Sequence, residues 1–231
     1  MSKSSVGIYY HSVILGIKTR GFIQTFYMVI ISLLDIAEDR IKGIIAHEFV
    51  DSKNVTKLNS SKFANFYQPV RSIPFRKLFR EMKFTADGNF VDIGAGTGKA
   101  LILAKEQGFE KVKGIELVPY LVELAQENKK KFNFSDIEFE CICEDALNYK
   151  FEKEDQFFFL NDPFSDEVYQ PFMSHLVDHF LNTNKKIVVV YKNNSLRKMS
   201  FYDNIPNYCK YKEVNYWGNL YQIVWFDNSL K

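Results

Sequence analysis

The chain reads as an α/β fold: a mostly parallel sheet covered by helices on both faces, ending in an antiparallel hairpin and preceded by a helical extension. Three observations lead there. Beyond residue 89, short apolar runs alternate with stretches of helical spacing, the signature of parallel strands joined by crossover helices. The first apolar run, Phe90-Val91-Asp92-Ile93, passes directly into Gly94-Ala95-Gly96-Thr97-Gly98 and then into a helical stretch. Near the C-terminus, two β-rich runs flank Asn215-Tyr216-Trp217-Gly218-Asn219, whose Gly and Asn suit a turn.

Residues 1–60 read as the helical extension and residues 61–231 as the main domain. In the extension, Ile23, Phe26, Tyr27, Ile30 and Leu34 share one helical face. The apolar stretch from Phe22 to Ile36 is interrupted by Gln24, Thr25, Ser32 and Asp35, and it is shorter than the roughly 20 residues that span a bilayer. It is expected to be a buried helix, in preference to a membrane span or a helix resting on a membrane surface. The start is not expected to be a secretory leader, because no small-residue cleavage pattern follows a short basic stretch.

A polar run over 51–61 predicts the loop between the two parts. A helix over 74–82 follows, opened by Pro74. Strands are expected over 90–93, 111–116, 137–143, 156–161 and 186–191. Helices are expected over 99–106, 120–130 and 170–181, the last with Pro171 in its first turn. The hairpin strands are 209–214 and 220–226, joined by a connection longer than the tightest type.

Hydrophobic residues make up 46% of the 231, enough for a full core. The formal net charge of +2 excludes a strongly basic nucleic-acid footprint over the whole chain and leaves only local patches. Three cysteines do not make a disulfide framework. Cys141 and Cys143 alternate on one strand face as small buried thiols, and a reducing, cytoplasmic setting is the expectation.

Chemistry concentrates at the strand ends. The glycines let the backbone pass close to a ligand, and the following helix offers free N–H groups. Nicotinamide and flavin enzymes use a similar turn, but their fingerprint needs glycine where this chain has Lys99. Asp92 lies two residues before the first glycine. There it would repel a pyrophosphate, and it suits a ligand carrying an ammonium and a sulfonium. Glu116 closes the next strand, about 20 residues beyond the glycine turn, the spacing of an acid that takes two ribose hydroxyls.

Asp145, just past the third strand, can accept from an adenine amino group, with Ala146 beside the ring; capping its own loop is the alternative. Asn161-Asp162-Pro163-Phe164 follows the fourth strand. It can hold an amine with its lone pair aimed at a methyl carbon, and Phe164 can present a π-face to a cationic centre. A plain strand end leading into a helix is the other reading.

Together these segments, over residues 66–226, resemble class I S-adenosylmethionine (SAM)-dependent methyltransferases. The resemblance implies their Rossmann-like three-layer fold and SAM as the cofactor. It implies Asp92, Gly94, Ala95, Gly96 and Gly98 around the methionine part, and Glu116, Leu117, Asp145 and Ala146 around ribose and adenine. Asn161-Asp162-Pro163-Phe164 is similar to the Asn/Asp-Pro-Pro-Tyr/Phe motif of amino-group methyltransferases, departing at Asp162. Asn161 then touches both cofactor and acceptor.

Tyr67-Gln68-Pro69 and residues 114–122 resemble seven-strand protein lysine methyltransferases, which implies Tyr67 closing over the methionine end; a packing tyrosine is the alternative. The catalytic candidates are thus Asn161, Asp162, Pro163, Phe164 and Tyr67. The acceptor is a protein lysine or other amine, an RNA or a small molecule. A nicotinamide-dependent oxidoreductase and a non-catalytic SAM-binding protein are the rival classes.

His175 and His179 lie four apart on a helix without a third ligand in sequence, so no metal is expected. Arg71, Arg76, Lys77, Arg80 and Lys83 form a basic group expected to keep a helix hydrated. Steering an acidic partner or RNA is its alternative role.

Overall fold

The computed structural model describes residues 16–18, 21–46, 67–193 and 206–230. Five strands run parallel: β1 (Asn89–Ile93), β2 (Val112–Glu116), β3 (Phe139–Cys143), β4 (Asp155–Leu160) and β5 (Ile187–Asn193). The hairpin of β6 (Cys209–Tyr216) and β7 (Asn219–Phe226) joins antiparallel through β7, giving the order β3-β2-β1-β4-β5-β7-β6. Helix α1 (Phe22–Lys42) belongs to the extension. The domain adds α2 (Ser72–Met82), α3 (Lys99–Glu106), α4 (Pro119–Lys131) and α5 (Asp166–Thr183). This is the expected α/β class with its helical extension.

Alternation along the strands builds two cores. Phe90, Phe157 and Phe159 face one layer with Phe75 and Phe79 of α2, while Val91, Ile93, Phe158 and Leu160 face the other with Phe172 and Met173 of α5. The first layer is a cluster of phenylalanines, with ring centroids of Phe79–Phe157 and Phe75–Phe159 both 5.2 Å apart. Such pairs contribute about 0.5–1.5 kcal/mol beyond their buried area.

The amino ends of the central strands are tied by a polar cluster. Lys113 and Asp155, both fully buried, meet at 2.8 Å, and Asp155 also accepts from Asn89 Nδ2, the Tyr149 hydroxyl and the Glu152 N–H. The opposite edge gathers the carboxyl ends of the parallel strands.

Four expectations are corrected. Strand β3 starts at Phe139 because Ser135 caps Glu138 in a turn, which leaves Ile137 79% exposed. Helix α5 starts at Asp166, so Pro171 lies inside it; Asp166 and Glu167 suit the positive end of the helix dipole and draw the start forward. The hairpin turn is only Trp217-Gly218, both at positive φ (52° and 82°), the geometry of a two-residue turn that matches strand twist. Cys141 is buried, but Cys143 is exposed where β3 runs out. The loop over 51–61 and the boundary at 60 lie outside the described residues.

The largest departure is α1. Its buried residues are Thr25, Ile31, Asp35 and Asp39, while Phe22, Ile23 and Leu33 are 69%, 70% and 62% exposed. The cause is Lys99, at the head of α3 and only 2% exposed. Its ammonium meets Asp35 and Asp39 at 2.7 Å each, and Asp35 also accepts the Ser72 N–H at 2.7 Å. A buried ammonium demands carboxylates, so the acidic face of α1 turns inward and the apolar face outward. Arg76 of α2 reinforces the arrangement by donating to both Glu38 and Glu106.

Replacing Lys99 with Met strands two buried carboxylates and is expected to cost about 3–5 kcal/mol in urea unfolding. Adding Asp35→Asn and Asp39→Asn should recover part of that loss. Unchanged stability in the single variant would show that the cluster does not hold α1.

Candidate functional site

Because β1 to β4 are parallel, their carboxyl ends share one edge, and the order reverses between β1 and β4. Open α/β sheets bind ligands at such a switch point. Residues 94–98 leave β1 there. Gly94 and Gly96 have φ of 77° and 55°, and each faces a close neighbour: a Cβ would stand 2.5 Å from Pro163 at Gly94 and 2.1 Å from the Tyr67 ring at Gly96. The turn is fixed to β2 by the Gly94 and Ala95 N–H groups, which donate to the Ile115 carbonyl.

Two carboxylates stand beside the turn. Glu116, buried at the end of β2, accepts the Gly96 N–H at 2.7 Å on one oxygen and the Val118 N–H at 2.9 Å on the other. Burial pushes its pKa up, and those N–H groups oppose the rise. The two bonds orient the carboxylate, and each oxygen keeps a lone pair for a further donor.

Asp92 is 3% exposed, and its Oδ1 has no hydrogen-bond partner among the described residues. Burial first, and then the charge of Glu116, drive its pKa well above the ordinary carboxylate range. An unanswered carboxylate in this position fits a cationic ligand group.

Asp145 lies past β3 on the same edge and accepts the Leu147 N–H at 3.0 Å, so the loop-capping role is realised in part. Leu117 and Ala146 are half-buried beside it. Beyond β4, Asn161 donates to the Gln68 carbonyl at 2.7 Å. Asp162 is buried, holds a left-handed φ of 49° and accepts from the Tyr191 hydroxyl. Phe164 packs into the core against Phe172, with centroids 5.8 Å apart and 7% exposure, rather than lining an open face.

Tyr67 sits over the glycine turn, its hydroxyl 2.9 Å from both Thr97 Oγ1 and the Ala46 carbonyl oxygen. Tyr67, Gln68, Asp92, Gly94, Lys99 and Asn161 thus line one cleft. The structure therefore brings Tyr67, Asp92, residues 94–98, Glu116 and Asn161 together, while the neighbouring Asp162 is buried with its carboxylate on Tyr191 and Asp145 lies farther along the edge.

Tyr191, Gln68 and Lys99 are the neighbours that sequence reading did not single out for the site. Tyr191 ends an apolar β run and gives no local signal of a polar task. His179 bonds to the Asp155 carbonyl and His175 stacks on Phe151, and no group that could hold a metal occurs among the described residues.

No curated protein matches the chain. Among solved structures it is similar to an RNA methyltransferase from Salinibacter ruber in complex with S-adenosyl-L-homocysteine. That likeness has 19% identity and a TM-score of 0.53, and covers 69% of this chain and 94% of the other. It is also similar to a ribosomal protein L11 methylase from Lactobacillus delbrueckii subsp. bulgaricus, at 14% identity and a TM-score of 0.50, covering 67% and 77%. At such identities these structures speak for the fold alone. The family described as a methyltransferase domain matches residues 84–224, well over half of the chain. That match runs from just before β1 into β7, so the chain belongs to the methyltransferase domain family, as a class I enzyme that draws its methyl group from SAM.

Proposed function

We propose that the enzyme passes the methyl group in line to a nitrogen of its acceptor, a protein lysine or another amine. The observation that carries the cofactor side is Asp92, a buried carboxylate with an oxygen unsatisfied among the described residues, at the switch point beside Glu116. Bound SAM supplies an electrophilic methyl group on a sulfonium; the chain's residues do the rest. Asp92 pairs with the ammonium end, and residues 94–98 let the backbone approach it. Glu116 takes the ribose hydroxyls, while Asp145, Leu117 and Ala146 hold the adenine.

On the acceptor side, Asn161 and Asp162 accept from the attacking nitrogen and aim its lone pair. A free lysine titrates at about 10.4, so burial must favour the neutral amine. Tyr67 shifts from its place over Gly96 to admit the ligand and then covers it. Three free cysteines support a reducing, cytoplasmic setting.

Calorimetric titration with SAM, with NADH in parallel, tests the cofactor side. SAM should bind and NADH should not, and Glu116→Ala should weaken SAM by roughly tenfold or more, since it removes a bidentate hydroxyl acceptor. Binding of NADH instead, or of neither, would overturn the reading.

Asp92→Asn separates binding from stability. It should weaken SAM, yet raise the melting temperature of the free protein at pH 7, because it removes an acid whose ionisation is opposed by burial and by the charge of Glu116. The sign with pH follows. The folded pKa of Asp92 lies above its unfolded value, so its stability contribution is present below the usual carboxylate range near 4 and is lost as pH rises through the raised value. The variant should lack that loss.

Asp162→Ala should lower transfer of radiolabelled methyl groups into a cell extract by roughly 10- to 100-fold at unchanged SAM affinity. Equal transfer would remove Asp162 from the mechanism. Label recovered in RNA or small molecules would reassign the acceptor, and SAM binding with no transfer to any fraction would mean a non-catalytic binder.

A further inference from the structure

We propose that the outward face of α1 docks the enzyme on an anionic lipid bilayer, with the helix lying flat on the surface. This face is built from Phe22, Ile23, Phe26, Leu33, Leu34 and Ile41, all at least half exposed. Helical periodicity puts them on one side, opposite Asp35 and Asp39, along a strip about 30 Å long. Phe22 stacks on Phe26, and Phe26 meets Tyr27 edge-on, so the amino end of the strip is aromatic. Contiguous apolar surface of this kind marks an interaction site. None of the described helices is long and apolar enough to cross a membrane.

Charge selects the occupant. Every acid of α1 is turned inward: Asp35 and Asp39 to Lys99, and Glu38 to Arg76 and Lys42. The outward side keeps only bases. Arg40 is exposed and makes no ion pair among the described residues, and Lys18 is exposed just before the aromatic end. A second copy fits this face poorly. Parallel pairing of two α1 helices sets Arg40 against Arg40, and neither parallel nor antiparallel pairing offers an exposed acid of α1. An apolar strip with basic ends and no outward acid matches the acyl boundary and phosphate headgroups of an anionic membrane. The proposal does not depend on which acceptor is methylated.

The test is co-sedimentation of the full chain with vesicles of phosphatidylcholine alone and of phosphatidylcholine mixed equally with phosphatidylglycerol. The anionic vesicles should capture at least roughly tenfold more protein, and added salt should weaken the capture. The double variant Phe26→Glu with Leu33→Glu should abolish it, and Arg40→Glu should weaken it several-fold. Circular dichroism and melting must match the parent, as substitutions at exposed positions allow. Equal capture by both vesicle types, no capture by either, or capture that survives the double variant would overturn the proposal. So would a dimer in sedimentation velocity that the double variant splits without any vesicle binding, which would give the face to a second copy.

Discussion

One buried ammonium organises the junction between extension and domain. Lys99 opens α3 directly after the glycine turn, and its two carboxylate partners come from α1. Asp35 also takes a backbone N–H of α2, so three helices meet at a single charge. Desolvating an ammonium is so unfavourable that its partners are dictated, and the orientation of α1 follows from them. The extension is therefore seated by electrostatics rather than by its abundant apolar residues.

That same charge explains what was legible in the sequence and what was not. The domain's alternation of apolar strands and helices was readable because the central strands β1, β2, β4 and β5 bury both faces, and Phe157, Phe158 and Phe159 show this within three consecutive residues. The strand-end carboxylates were readable because a parallel sheet must deliver Asp92 and Glu116 to the same edge. Helix α1 was misread because periodicity reveals that a helix has two faces, not which of them turns inward. The partner that decides it, Lys99, lies more than 50 residues away. Tyr191 was missed for a related reason, since only the pairing of β5 with β4 brings its hydroxyl to Asp162.

The carboxyl edge of the sheet holds a carboxylate that works against stability. Asp92 sits where burial and a neighbouring carboxylate both oppose its charge, and one of its oxygens goes unanswered among the described residues. A fold selected for stability alone would place a neutral residue there. At the other end of the same strands, Asp155 is equally buried but surrounded by an ammonium and three further donors. Both carboxylates are buried on one sheet, and what separates them is that Asp155 is answered by partners while an Asp92 oxygen is not, which is the contrast on which the proposed role of Asp92 rests.

Tyr67 carries a consequence for selectivity among ligands. Its hydroxyl joins Thr97 of the glycine turn to the carbonyl of Ala46, just beyond α1. Any molecule that displaces the ring gives up those contacts, about 0.5–1.5 kcal/mol for each hydrogen bond. A ligand slim enough for the hydroxyl to settle back above it recovers them, whereas a bulkier one does not. Under the proposed reading the tyrosine would therefore act as a sieve by size, favouring occupants slim enough for its hydroxyl to return to Thr97 and Ala46.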